Sequence, residues 1–267
     1  METEFQEYLV KSNLSQTTIK AYVVAVKYYL KNYENVSANN LLAYKGYLLE
    51  HFKPQTVNLR IQAVNKYLEF LESASLKMKF VRVQQKNFLE NVISDADYKF
   101  LKCKLKEDGL DEWYFLVWFL GATGARISEL IQIKAEHVVA GYLDIYSKGG
   151  KMRRLYIPYN LRLEAQEWLQ SKNIYSGYIF LNRFGKRITA RGVGQQLKHF
   201  AELYGINRDV VYPHSFRHRF AKNFLDKLND LALLADLMGH ESIETTRIYL
   251  RRTANEQKEI VDRVVDW

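Results

Sequence analysis

The chain has 267 residues, room for one large domain or two modest ones, and its 48% hydrophobic content can fill real cores. A formal charge of +9 at pH 7, from 39 Lys and Arg against 30 Asp and Glu, makes a polyanion the first partner to consider. The single cysteine, Cys103, excludes an intramolecular disulfide and a cysteine-rich zinc site; the acidic start METEFQEYL lacks the basic region of a signal peptide, and the longest apolar run, WYFLVWFLGA, is too short to span a bilayer. These features point to a soluble cytoplasmic protein with no membrane partner. Basic residues outnumber acidic ones both up to Gln84, 11 to 7, and beyond it, 28 to 23, so both parts can share one anionic ligand.

Four helices are predicted in the first part, where the 3.6-residue periodicity is dense. The first runs from about Glu2 to Lys11. The second opens with Ser15 as N-cap and puts Ile19, Tyr22, Val23, Val26 and Leu30 on one face. The third follows Ser37, with Leu41, Leu42, Leu48 and Leu49 as its apolar residues. The fourth begins after Pro54, carries Val57, Ile61, Val64, Tyr67, Leu68 and Leu71, and fades at SASLK. The basic stretch SLKMKFVRVQQK, residues 75–86, has no acidic residue and reads as a linker lying along a charged surface. The boundaries are therefore 1–84 for a helical domain and 87–267 for a second domain.

In the second domain NVISDADYKFL opens a helix, with Ser94 as N-cap and Asp97 at the third position. DEWYFLVWFLGATG reads as a buried helix and GARISELIQI as the next. YLDIYSKGGKMRRLYIP reads as a hairpin turning at Gly149-Gly150, a pair that tolerates positive φ at both positions. Further helices are predicted from Leu161 to Ser171, from Arg191 to Tyr204, and over SIETTRIYL. In the tail TANEQKEIVDRVVDW, Ile260, Val261, Val264 and Val265 share a helical face, and Trp267 adds an aromatic. That stripe has to be buried against its own domain or against a neighbour.

Four clusters hold the candidate chemistry: Arg126 in TGARISEL, Lys148 at the hairpin tip, His214 and Arg217 in PHSFRH, and His240 with Tyr249 in LMGHESIETTRIYL. Each has an ordinary reading alone. Arg126 can pair with Glu129 three residues on, and Lys148 can be a solvated turn lysine. His214 and His218 stand at i and i+4, a spacing that suits a metal, but Arg217 between them sets a cation beside any such ion. Taken together and in this order, the clusters resemble the tyrosine recombinases of the phage-integrase and Xer-like type. SQTTIKAY and PQTVNLRIQAVNKYLEFL resemble the core-binding domain of the same family, so the resemblance covers essentially the whole chain. LRRT stands where a Thr-His pair commonly follows the tyrosine, and Phe216 stands where Leu is usual; neither change removes a reacting group.

The resemblance implies a mainly α fold with a small β-sheet: an N-terminal four-helix (SAM-like) core-binding domain and an α+β catalytic domain with a C-terminal tail helix, closing as a clamp around duplex DNA. It implies Tyr249 as the nucleophile forming a 3′-phosphotyrosyl ester, with Arg126 and Arg217 stabilising the charge that builds on the phosphate oxygens. His214 would accept the tyrosine proton, His240 would donate a hydrogen bond to the phosphate, and Lys148 would protonate the departing 5′ oxygen. Glu129 would orient neighbours. No cofactor and no metal is called for, since the phosphotyrosine ester keeps the energy of the broken strand. The implied partners are double-stranded DNA with inverted-repeat core sites and three further copies of the chain, a homo-tetramer on two sites, serving integration or excision of a mobile element or DNA inversion. Two other readings remain open here: a type IB topoisomerase-like relaxing enzyme, and a DNA-binding module without catalysis.

Overall fold

The computed structural model describes residues 2–83, 91–146, 152–240, 242–250, 258 and 261–265. The chain divides into two compact units, Met1–Gln85 and Lys86–Trp267. Its described residues are mainly helical with one two-stranded sheet, the fold class read from the sequence.

The first unit holds α1 (Glu2–Lys11), α2 (Gln16–Asn32), α3 (Ala38–His51) and α4 (Pro54–Phe70). Ser15 and Ser37 cap α2 and α3, each hydroxyl accepting from the backbone N–H three residues on, and Pro54 starts α4 where a missing N–H costs nothing. Val57, Ile61, Val64 and Leu68 of α4 are wholly buried against Tyr29, Leu41, Tyr44 and Leu48. Leu42 and Leu49 depart from the expectation and are 72% and 53% exposed. Leu41, Tyr44 and Leu48 make the inward stripe, and each misjudged leucine lies one residue, about 100° of helix, away from it. The stretch read as a linker also differs. It begins with a 3-10 turn, Ala74–Leu76, and then runs extended along α4, where Asn65 exchanges two hydrogen bonds with the backbone of Met78 and Asn58 does the same with Val81. Two asparagines seven residues apart thus imitate strand pairing on one helix face.

In the second unit α5 (Asp95–Glu107) packs on α6 (Asp111–Thr123), whose Phe115, Leu116, Val117, Phe119 and Leu120 are buried around most of its circumference. GARISELIQI forms only a four-residue helix, α7 (Ile127–Leu130), with Arg126 at its N-cap, followed by α8 (Ala135–Ala140). Strands β1 (Tyr142–Tyr146) and β2 (Met152–Tyr156) pair antiparallel with Leu143 opposite Leu155 and Ile145 opposite Arg153. The expected turn at Gly149-Gly150 lies outside the described residues. α9 (Tyr159–Ser171), α10 (Ala190–Leu203), α11 (Pro213–Lys227), α12 (Leu231–Met238) and α13 (Ile243–Arg247) follow, and a 3-10 turn, Ile248–Leu250, continues α13. Within α11, Ser215 is fully buried and accepts a 2.7 Å hydrogen bond from the Ile93 N–H, while Phe216 packs edge-on against Tyr98. Of the tail, residues 261–264 are helical with Val261, Val264 and Val265 exposed; the other residues of the predicted stripe, Ile260 and Trp267, lie outside the described residues.

Candidate active site

Arg217, 3% exposed on α11, is held between two helix C-termini. Its Nη1 donates to the Gly124 carbonyl at 2.6 Å and its Nη2 to the Met238 carbonyl at 2.7 Å. These carbonyls end α6 and α12, where the unpaired acceptors and the negative end of the helix dipole favour a cation. Each helix can stop there because Gly124 and Gly239 take left-handed φ values of 62° and 61°. Burial, and then the Arg126 charge, bring the Arg217 pKa down to about 10, so the group stays cationic at neutral pH.

Arg126 reaches the same turn. Its Nη2 donates to the Gly239 carbonyl at 3.1 Å, one residue along from the carbonyl that Arg217 holds. Its Nη1 and its backbone N–H both donate to the Glu129 carboxylate, at 3.0 and 2.8 Å. Glu129 is buried, and burial disfavours its charge, but Arg153 and the Arg126 hydrogen bonds outweigh that and hold its pKa below the usual carboxylate value. An open cavity of about 580 Å³ beside these residues is lined by Arg126, Arg153, Tyr156, Leu237 and His240.

His240 stands at the end of the Gly239 turn. Arg217 Nη2 lies 3.0 Å from His240 Nε2, and a guanidinium only donates, so Nε2 accepts. The imidazole proton is thereby assigned to Nδ1, which donates to the hydroxyl of the fully buried Thr246 at 2.7 Å. Burial, with the neighbouring arginines second, pushes the His240 pKa down to about 4 and keeps the ring neutral. Tyr249 is 6% exposed in a small core with Ala221, Leu225, Leu234 and Met238. Its ring stacks at 6.1 Å from that of His240 and sits 5.4 Å from that of His218. Burial raises the Tyr249 pKa and Arg217 opposes the rise, so the phenol is protonated at neutral pH. His214 is exposed on α11 near both arginines; partial burial, and then Arg217 and Arg126, lower its pKa and favour the neutral imidazole.

Five of the six expected residues, Arg126, His214, Arg217, His240 and Tyr249, are thus brought within one electrostatic neighbourhood. Lys148 lies outside the described residues. Arg153, Thr246 and the backbone of Gly239 belong to the same network and were not read from the sequence. Among the described residues no group of three or more His, Cys, Asp and Glu is placed to hold a metal ion.

The depressed histidines make a stability prediction. His218 is lowered to about 4 by burial, then by His214 and Arg217, alongside His240, whereas an unfolded histidine titrates near 6.5. Below pH 6.5 the unfolded chain binds protons that the folded chain refuses, so the stability present above that pH is lost as pH falls towards 4. Carboxylates such as Glu129 join in only below about 4.5, their usual value. Denaturant midpoints are expected to fall between pH 7 and 5, and His218→Phe to make the fall shallower; an unchanged slope in that variant contradicts the assignment.

Comparison with known proteins fits this geometry. Residues 102–256 match the model of the phage integrase family. Over 97% of its length the chain is 29% identical to tyrosine recombinase XerA of Pyrococcus furiosus, covering 92% of that protein, and a 131-residue stretch, 47% of this chain and 44% of the relative, is 35% identical to tyrosine recombinase XerC of Escherichia coli. Among solved structures, the Tn1549 transposon integrase in complex with circular intermediate DNA superposes with a TM-score of 0.72 at 15% identity over 99% of both chains. The XerH recombinase bound to its difH substrate gives 0.70 at 19% identity, over 97% of this chain and 84% of that one. The chain belongs to the phage integrase family and is a tyrosine recombinase, a site-specific enzyme that cleaves and rejoins DNA. No described helix is long and apolar enough to cross a membrane.

Proposed function

We propose that Tyr249 is the nucleophile. Its phenolic oxygen bonds to the phosphorus of a DNA phosphodiester, its proton passes to neutral His214, and the bond to the 5′ oxygen breaks as Lys148 protonates that oxygen. A 3′-phosphotyrosyl ester and a free 5′ hydroxyl result, and attack by a second 5′ hydroxyl reverses the step. Arg126 and Arg217 stabilise the oxygens of the five-coordinate phosphorus. The observation that carries this reading is their convergence: 91 residues apart, they donate to the adjacent carbonyls of Met238 and Gly239, with the ring of Tyr249 stacked on that of His240 beside them. His240 donates to the phosphate only in its other tautomer; in the arrangement described it holds Arg217 in place.

The substrate is duplex DNA carrying inverted-repeat core sites, gripped also by the helical unit, and four protomers act on two sites in the cytoplasm. The exposed valines of the tail support assembly, because an apolar stripe gains stability when a neighbouring protomer covers it. Integration or excision of a mobile element, or DNA inversion, is the reaction this machinery serves. Strand exchange between two plasmid-borne sites tests the reading: recombinant products are expected, and a plasmid without the sites should stay supercoiled. Relaxation of the site-free plasmid without exchange would favour a topoisomerase-like reaction.

A further inference from the structure

Of the two threonines in IETTR, Thr245 is exposed and Thr246 is fully buried. A hydroxyl sealed from water needs a partner, and Thr246 Oγ1 lies 2.7 Å from His240 Nδ1. Arg217 settles the other ring nitrogen: its Nη2 can only donate, so Nε2 is bare and Nδ1 carries the proton. Thr246 is therefore the acceptor that stabilises this tautomer. The opposite tautomer would set Nε2–H against Arg217 Nη2, donor to donor, and loosen a guanidinium that also holds the carbonyls of Gly124 and Met238.

The backbone leading into His240 is fixed by three guanidiniums. Arg153, Arg217 and Arg126 donate to the successive carbonyls of Leu237, Met238 and Gly239, and Arg153 and Arg126 also share the Glu129 carboxylate. The ring that follows is oriented by Arg217 at one nitrogen and by Thr246 at the other. Thr246 stands three residues before Tyr249, so one helical turn carries both to the same imidazole. The hydroxyl meets its edge, and the phenol ring stacks on its face at 6.1 Å and 12°. We propose that Thr246 is a positioning residue: it fixes the His240 tautomer that receives Arg217, and so ties the turn carrying Tyr249 to the arginines of the site. It acts through His240. The proposal deepens the reading of Tyr249, Arg126 and Arg217 as the reacting groups and rests on it for its effect on rate.

Tautomer and rate can be read separately. In protein carrying isotopically labelled histidine, long-range proton–nitrogen correlation spectra distinguish a ring nitrogen with a proton from one without, and His240 is identified among the six histidines as the ring lost in His240→Gln. The parent is expected to show His240 protonated at Nδ1 and bare at Nε2. Thr246→Val keeps the branched shape without the hydroxyl, and that pattern is expected to be lost in it. Its cleavage of a nicked duplex, selected from a random pool by binding, is expected to slow by roughly tenfold or more, while binding stays within about twofold of the parent. Thr246→Ser, which keeps the acceptor, is expected to retain the tautomer and recover most of the rate lost in Thr246→Val. A packing role alone would lower the stability of the Val variant and leave the tautomer as it is. If Thr246→Val does not fold, Thr246→Cys, whose sulfur is a weak acceptor, takes its place in both measurements. A parent ring protonated at Nε2, a variant without the hydroxyl that keeps the parent pattern, or one that cleaves as fast as the parent or faster overturns the positioning role. Adducts formed on a residue other than Tyr249 would mean instead that the reading of the nucleophile fails, and the tautomer comparison then decides for Thr246 by itself.

Discussion

Tyr249→Phe is expected to bind its DNA site as the parent does, within about twofold, while covalent adducts fall by roughly 10⁴ or more. Phenylalanine fills the same space among Ala221, Leu225, Leu234 and Met238, so the fold around the 3-10 turn is kept and only the phenolic oxygen is lost. Gel-shift binding and adduct yield on a denaturing gel report the two quantities separately. Burial keeps the parent phenol protonated, so the proposed attack needs a proton acceptor, the role proposed above for the neutral His214. Adducts formed by the Phe variant would transfer the role to another tyrosine, and Tyr212, half-buried at the start of α11, is the next to examine.

Arg217→Ala is expected to lose both chemistry and stability. Removing one of two charge-stabilising forks should slow cleavage by roughly 10² or more with much less effect on binding. The same substitution strips partners from the carbonyls of Gly124 and Met238 and leaves two helix ends without their cation. Each buried acceptor left unpaired costs roughly 1–3 kcal/mol, so a clear drop in the denaturant midpoint accompanies the kinetic loss. Arg217→Lys retains the charge but cannot span Gly124, Met238 and His240 with one ammonium, and it should recover some stability and little activity. A stable, active Arg217→Ala enzyme would contradict the placement of this side chain at the junction of α6, α11 and α12.

Much of the candidate site was legible in the sequence because the chemistry proposed for it tolerates few residue types, and because Arg126, His214, Arg217, His240 and Tyr249 sit in short motifs that stand out. What escaped was the support around them. Thr246 is one of two threonines in IETTR, and only the fold buries it and brings it 2.7 Å from the imidazole of His240. Arg153 did leave a trace. In MRRLY it shares its strand face with Leu155, and a charge on the apolar face of a half-buried strand implies an internal partner. Which partner cannot be read from the strand alone, since Glu129 and Leu237 are distant in sequence. The helices of the first unit were plain from their periodicity, yet LLAYKGYLLE offers two leucine pairs one residue apart, and the choice between them was settled by packing on α4 rather than by the pattern. The same residues, 75–83, that look like a linker by composition are held on α4 by Asn58 and Asn65, polar side chains whose partners are backbone atoms of a segment without periodicity.

The central claim is that this chain cuts DNA through Tyr249, and the most direct test is to find the atom that carries the DNA. A nicked suicide duplex, its sequence selected from a random pool by binding to the full-length protein, is incubated with the enzyme, and the covalent complex is digested with trypsin and sequenced by mass spectrometry. The account predicts a 3′-phosphorylated nucleotide remnant on the peptide from Ile248 to Arg251, attached to Tyr249. A remnant on any other residue, or cleavage of the duplex with no covalent remnant on the protein, would contradict it.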